Sequence, residues 1–265
     1  MVTVKSDEDI KWMRHSGTIT AAVLAELAKN AHEGISLNDL DRIAESMIKK
    51  MGAVPAFKNY RGYPKTITVS IDEQVVHGIP NKRKLKKGEL VSFDMGVFYN
   101  GWCSDSALSV IVGDNPDPED VRLLEATKNS LYKGIEQCVI GNHLGDVSHA
   151  VQQYAEARGF SVVRDLVGHG IGRSMHEEPP VPNYGRAGRG LLMKKGMVIA
   201  VEPMINAGTH RVLCLEDGWT IVTEDGKKSA HFEHTIAFTE RGPRILTLPE
   251  GASEEEEYPF PPKEN

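Results

Sequence analysis

The chain has 265 residues, net charge −6, and 40% hydrophobic and 26% charged content, the balance of a globular protein without global attraction to nucleic acid or an anionic membrane. No apolar run approaches the roughly 20 residues of a membrane span, and the N-terminal MVTVKSDEDIKWM lacks a signal peptide's apolar stretch and cleavage site. Cys103, Cys138 and Cys214 are widely spaced with no C-x-x-C pair, which argues against a disulfide scaffold and for reduced thiols in a cytoplasmic protein.

Ser6 with Asp9 forms a capping-box signal, and Ile10, Met13, Ile19, Val23, Leu24 and Leu27 follow at helical spacing as a core-facing stripe. Ser36 with Asp39 repeats the signal ahead of Leu40, Ile43, Met47 and Ile48, and Gly52 stops that helix. Pro64 then opens a β-rich run over 66–71, and His77 sits just before a Gly-Ile-Pro turn. The run KRKLKK at 82–87 reads as a solvated loop, with contact to a polyanion as the second reading.

Residues 91–106, VSFDMGVFYNGWCSDS, read as a β-hairpin about Asn100-Gly101, because both turn residues tolerate the positive φ of a type I′ turn. With those two as the loop, Tyr99 faces Trp102 and Asp94 faces Ala107. Asp105 then shares a face with Asp94, displaced by a diagonal of about 7–8 Å. A one-residue slip would send Asp105 to the other face. Two converging carboxylates resist joint burial unless a cation offsets them. On the hairpin alone, two solvated aspartates are the simpler reading.

Asp117-Pro118 supplies the N-cap and first residue of a helix running to about Val139, and a second helix spans about 144–158 and ends at Gly159. The later chain is β-rich, with turns at Asn206-Ala207-Gly208 and Asp225-Gly226. No linker interrupts 1–250, which reads as one domain. From Gly251 the sequence GASEEEEYPFPPKEN is acidic and Pro-rich, and 251–265 reads as a disordered tail.

The chain also resembles itself. Val76-His77-Gly78-Ile79-Pro80 recurs as Gly168-His169-Gly170-Ile171-Gly172, and Leu85-Lys86-Lys87-Gly88 as Met193-Lys194-Lys195-Gly196. Six residues after each second glycine comes an acid, Asp94 or Glu202, inside an apolar strand. The common order predicts a duplication, with halves of roughly 5–113 and 114–248 folded alike and directing both acids to a shared centre.

Three further residues look out of place. His169 sits in VGHGIG, where flanking glycines allow close backbone approach. Glu202 interrupts an apolar run where an unpaired carboxylate is costly, and Glu233 lies mid-strand in AHFEHTIAF. Four carboxylates, one imidazole and no thiolate suit divalent Mn, Fe, Co or Zn better than a structural zinc. Five ligands exceed what one catalytic ion with an open position needs, and bridging carboxylates permit two.

At these residues the chain resembles the type I methionine aminopeptidases, metallopeptidases of the pita-bread fold, over about residues 5–248. The carriers are Asp94 and Asp105 eleven apart, GHGIGRSMHEEP at 168–179, VEPM at 201–204 and FEHT at 232–235. The resemblance implies an α+β fold, a pseudo-twofold repeat of helices packed on antiparallel sheet. It implies removal of N-terminal methionine from nascent proteins and peptides ahead of a small second residue, by a monomer. Asp94 would chelate one of two ions, His169 and Glu202 the other, and Asp105 and Glu233 would bridge them, so that a metal-activated water attacks the scissile carbonyl. Glu202 would accept the proton, His176 would donate to the developing oxyanion, and His77 would contact the substrate backbone. The methionine pocket falls on Phe57, Tyr60, Tyr63 and Trp219, whose rings suit a thioether. Lys82, Arg83, Lys84, Lys86 and Lys87 would offer a ribosome contact.

The chain departs from the family pattern at Met175, where Phe is usual, at Ser104, where Gly precedes the second aspartate, and at Gly96, where Thr is usual. Two other functions share the ligand pattern or fold. Xaa-Pro aminopeptidases and prolidases carry a substantial extra N-terminal domain, whereas 93 residues precede Asp94 here; non-catalytic binding modules on the fold lose ligands, whereas all five are present. Type II methionine aminopeptidases carry a C-terminal insertion, for which the 31 residues from Glu202 to Glu233 leave no room.

Overall fold

A computed structural model of the chain describes residues 2–260. Helix α1 (Asp7–Asn30) starts at the expected Ser6–Asp9 capping box, with Asp7, Glu8 and Asp9 opposing the positive end of its dipole. Helix α2 (Leu37–Lys50) is capped by Ser36. Their apolar stripes bury against β1 (Val54–Pro55), β2 (Thr68–Ile71), β4 (Leu90–Tyr99) and β5 (Trp102–Ile111), an antiparallel sheet in the order β1-β4-β2 with β5 on β4.

In the second half, α3 (Pro118–Glu136) and α4 (Leu144–Glu156) cover β7 (Gly168–Gly170), β8 (Glu177–Val181), β9 (Val198–Val201), β14 (His234–Thr239) and β15 (Gly242–Ile245), in the order β15-β14-β9-β7-β8. Two small sheets finish the fold. One joins β6 (Ser161–Val162), β10 (Met204–Asn206) and β13 (Ser229–His231); the other joins β3 (Gln74–Val76), β11 (Val212–Cys214) and β12 (Ile221–Thr223). Among the described residues no helix is long and apolar enough to cross a membrane.

The pseudo-twofold repeat is visible in matched backbone details. The N-cap of each second helix, Ser36 or His143, forms an isolated bridge to the residue four before the repeated glycine, Lys84 or Leu192. The next residues, Leu85 and Met193, are buried and donate to Ile35 and Asn142 carbonyls at 2.9 and 2.8 Å. Gly88 and Gly196 then take the same left-handed turn, φ +85° and +79°.

The hairpin register is the expected one: Tyr99 faces Trp102, Asp94 faces Ala107 and Asp105 faces Gly96. Asn100 and Gly101 have φ of 48° and 76°, the paired positive values of a type I′ turn. From behind, α1 locks the hairpin, since Ser16 and Thr20 hydroxyls each lie 2.8 Å from the Ser104 hydroxyl and Ser16 also donates to the Val97 carbonyl. Ser104, a departure from the family pattern, is thereby satisfied while fully buried.

Helices α3 and α4 end at Glu136 and Glu156, short of the expected Val139 and Arg158. Each final turn tightens into i to i−3 bonds, Cys138 to Ile135 in one and Arg158 to Ala155 in the other. The tail departs from the expected disorder over its described part. Ser253 caps a helical turn, α5 (Glu254–Glu257), and Glu257 bonds Arg14 at 2.8 Å and Arg244 at 2.7 Å. Those two guanidinium groups, more than 200 residues away for Arg14, give the acidic run a partner that composition does not reveal. Residues 261–265 of that expectation lie outside the described residues.

Candidate metal centre

The two halves meet where β5 runs beside the segment entering β14. The Glu233 N–H donates to the Ala107 carbonyl at 2.9 Å, and the Ser106 hydroxyl donates to the Glu233 carbonyl at 2.6 Å. The Thr235 hydroxyl donates to the Asp105 carbonyl at 2.7 Å and accepts from the Asp105 N–H at 3.0 Å. This stitching sets the Glu233 side chain beside Asp105. Glu233 was expected mid-strand; it lies in the break between β13 and β14, joined to Ala107 by an isolated bridge. Glu202 likewise sits one residue beyond β9, where Pro203 has no N–H to continue the ladder.

His169 is carried on β7 between two glycines that the packing requires. A side chain at Gly168 would fall 2.4 Å from the Ala200 carbonyl oxygen, and one at Gly170 2.2 Å from that of Glu178. His169 Nδ1 lies 2.9 Å from the Gly170 carbonyl, which fixes it as the protonated nitrogen and leaves the Nε2 lone pair facing the acids. Nε2 is 3.6 Å from Glu202 Oε1 and 3.9 Å from Asp105 Oδ2. Ligand atoms of Asp105, His169 and Glu233 all lie within 4.8 Å of one another. Asp94 and Glu202 join these three around one cavity of about 210 Å³.

The donor set fits a divalent ion. Burial lifts the Asp94 carboxyl from its usual 3.8 to about 8. Asp105, Glu202 and Glu233 are pushed well up, by burial first and then by the negative charge of their neighbours. Asp94 Oδ1, Asp105 Oδ1 and Glu233 Oε1 are buried without a hydrogen-bond partner. Unpaired buried carboxylates on this scale need either protons or a cation, and a neutral imidazole among them completes a ligand set. Burial lowers the pKa of His169, keeping that imidazole neutral.

The remaining expected residues line the same cavity. His77 holds a left-handed backbone, φ +63°, a costly conformation for a residue other than Gly, Asn or Asp. His176 stands at the mouth, its ring 4.2 Å from that of His169 and stacked on Tyr60 at 5.3 Å, with Nδ1 2.9 Å from the Tyr60 hydroxyl. Its pKa is lowered to about 3, by burial first and then by His169, Arg61 and His77. Tyr63 packs edge-on to Trp219 at 5.1 Å and to Phe57 at 6.5 Å, with Met175 buried alongside. Tyr63 is held by hydrogen bonds from its hydroxyl to the Ile67 and Gly78 carbonyls.

Among the cavity residues that sequence reasoning missed are Met204 and His231, which face each other across β10 and β13. The basic loop at 82–87 lies apart from the cavity; Leu85 anchors it, Arg83 pairs with Glu89, and Lys82, Lys84, Lys86 and Lys87 are exposed.

The chain also matches known proteins along most of its length. Residues 11–240 match metallopeptidase family M24. The methionine aminopeptidase of Clostridium acetobutylicum is 48% identical over 249 residues, covering 94% of this chain and 99% of that one. The crystal structure of methionine aminopeptidase from Thermotoga maritima superposes with a TM-score of 0.92 at 44% identity, covering 94% of this chain and all of that one. Prolidase from Pyrococcus furiosus, 22% identical with a TM-score of 0.74, shares the fold, and the match spans 66% of its length.

Proposed function

This chain belongs to metallopeptidase family M24 and, within it, to the methionine aminopeptidases of pita-bread fold, and on that premise we propose how its site removes an N-terminal methionine. The activity is that of a metal-dependent aminopeptidase, a hydrolase. The observation that carries the assignment of residues is that five ligand-type side chains and an aromatic wall share one cavity.

In this reading Asp94, Asp105, His169, Glu202 and Glu233 would hold two divalent ions, Co, Mn, Fe or Zn. Bound there, the metal supplies Lewis-acid polarisation of the scissile carbonyl and a water acidified to near neutral pH. Glu202 accepts the proton of the attacking water and passes it toward the leaving amine. With the Tyr60 hydroxyl donating to its Nδ1, His176 presents Nε2–H to the carbonyl oxygen as that oxygen gains charge. A lowered pKa keeps His176 a neutral donor, so it brings no positive charge next to the ions. His77 binds the substrate backbone beside the cleaved bond. Phe57, Tyr60, Tyr63 and Trp219, with Met175 in place of the family's usual Phe, receive the methionine side chain and its polarisable sulfur.

The small second residue, action on nascent chains as a cytoplasmic monomer, and a ribosome contact through the exposed lysines at 82–87 belong to the same proposal. Residues 5–113 and 114–248 are read as the halves of one duplicated catalytic domain.

The test uses purified protein, stripped of metal and reloaded, with the peptides Met-Ala-Ser and Ala-Pro-Ser. Release of methionine alone, restored by divalent metal, is expected. Release of alanine ahead of proline moves the substrate to the proline-specific branch, and no release with any of the four metals overturns catalysis.

A further inference from the structure

His231 has no part in the assignments above, yet its surroundings are those of a working residue. It ends β13, is 1% exposed, and lines the metal cavity. Neither ring nitrogen has a hydrogen-bond partner, a costly state for a buried imidazole. The ring cannot easily withdraw, because the backbone is pinned: the His231 N–H donates to the Ser109 hydroxyl at 3.0 Å, and that hydroxyl lies 2.8 Å from the His231 carbonyl.

What the ring faces is Glu202. His231 Nε2 lies 4.0 Å from Glu202 Oε2, while the other oxygen, Oε1, lies 3.6 Å from His169 Nε2. The Glu202 carboxylate is thus flanked by two imidazoles, one for each oxygen. Its backbone carbonyl accepts from Asn183 at 3.0 Å, but among the described residues no N–H or O–H donates to the carboxylate itself.

We propose that His231 is a positioning residue for Glu202: its Nε2–H donates to Oε2, fixing the carboxylate plane so that Oε1 is presented to the metal beside His169. A rotation of Glu202 closing the gap by about 1 Å gives a normal N–H···O distance, and such bonds are commonly long before ligands bind and tighten afterwards. Ligating carboxylates and imidazoles are in general held by a second shell of this kind, whose loss costs about 10–100-fold in metal affinity. The inference rests on the reading of Glu202 as a metal ligand, and the test separates the two.

Mn²⁺ is titrated calorimetrically into metal-free wild type, His231→Leu, His231→Gln and Glu202→Gln. His231→Leu, which keeps bulk and removes the donor, should weaken Mn²⁺ binding by about 10–100-fold, whereas His231→Gln, whose amide N–H replaces Nε2–H, should bind within about threefold of wild type. Thermal unfolding of metal-free His231→Leu should be unchanged or raised, since an unpaired polar group has gone; should that variant not fold, His231→Met is the second donorless substitution. Wild-type Mn²⁺ affinity in the donorless variant, with Glu202→Gln weakened, overturns the role of His231 and leaves that of Glu202. Equal losses in His231→Gln and the donorless variant overturn hydrogen-bond donation. Undiminished binding by Glu202→Gln overturns the reading beneath both.

Discussion

Glu233 reaches the buried acid cluster because its backbone is bonded to Ala107, N to O at 2.9 Å, and Ala107 in turn faces Asp94 across the hairpin. Carboxylates repel one another and cannot assemble by mutual attraction. The fold brings them together through backbone and hydroxyl bonds a few atoms away, and Thr235 is the clearest such device.

Thr235→Val tests that device. Its hydroxyl both accepts from the Asp105 N–H and donates to the Asp105 carbonyl, and Thr235 is fully buried. Removing it strands a buried N–H, at an expected cost of about 1–3 kcal/mol in denaturant unfolding. With Asp105 loosened, metal affinity should fall about 10–100-fold, and Thr235→Ser should recover both. Undisturbed metal binding in Thr235→Val would show that Asp105 needs no such anchor.

The acids also fix how stability depends on pH. Asp94 rises from 3.8 to about 8 on folding, and Asp105, Glu202 and Glu233 move the same way. In metal-free protein the folded state therefore holds protons that the unfolded state has released. For Asp94 the contribution is full below the unfolded value of 3.8 and is lost as pH rises through about 8, and for the other three it is lost as pH rises through their own raised values. Melting temperatures of the stripped protein should fall from about pH 5 to about pH 9. Saturating Mn²⁺, which stabilises the ionised acids, should flatten that slope. A slope equally steep with and without metal would rule out these acids as its source.

His176 should separate from the ligands in kinetics. Its ring lies against His169, but it belongs to the mouth with Tyr60 rather than to the cluster of Asp105, His169 and Glu233. His176→Ala should therefore lower kcat by about 10²–10³-fold, the scale of a lost oxyanion donor, with Mn²⁺ affinity near that of wild type. Tyr60→Phe, which removes the group that sets the tautomer, should lose less in the same direction. A His176→Ala variant that turns over normally but binds metal poorly would reverse the assignment.

Much of this was legible in the chain because certain positions admit few residues. The Asn100-Gly101 turn needs two positive φ values, so it set the register and with it the shared face of Asp94 and Asp105. Acids inside apolar runs stood out because burial makes them costly. His231 did not stand out, since a histidine in a strand is as readily a satisfied core residue, and only the fold reveals that its nitrogens lack partners. Helix ends moved because the last turns tighten through local geometry that no side chain announces. The order of the tail's described part is hidden for a different reason: its composition argues disorder, and its partners are distant in sequence.

That tail supplies the final prediction. Glu257 bridges Arg14 of α1 and Arg244 of β15, whose side chains are 11% and 22% exposed. Such pairs lie between surface ion pairs, near 0–1 kcal/mol, and buried ones, whose breakage costs about 3–5 kcal/mol, so truncation after Gly251 should cost about 1–2 kcal/mol. At about 2–4 °C per kcal/mol for a chain of this size, the melting temperature should drop by about 2–8 °C. Glu257→Gln should reproduce most of that loss, because it removes the charge both guanidinium groups share. Turnover of Met-Ala-Ser at 25 °C by the metal-loaded truncated protein should be unchanged, since among the described residues none after Gly251 lines the cavity. An unchanged melting temperature in both variants would mean that the acidic turn contributes nothing to the fold, and that Arg14 is held by the Leu246, Leu248 and Pro249 carbonyls it already reaches.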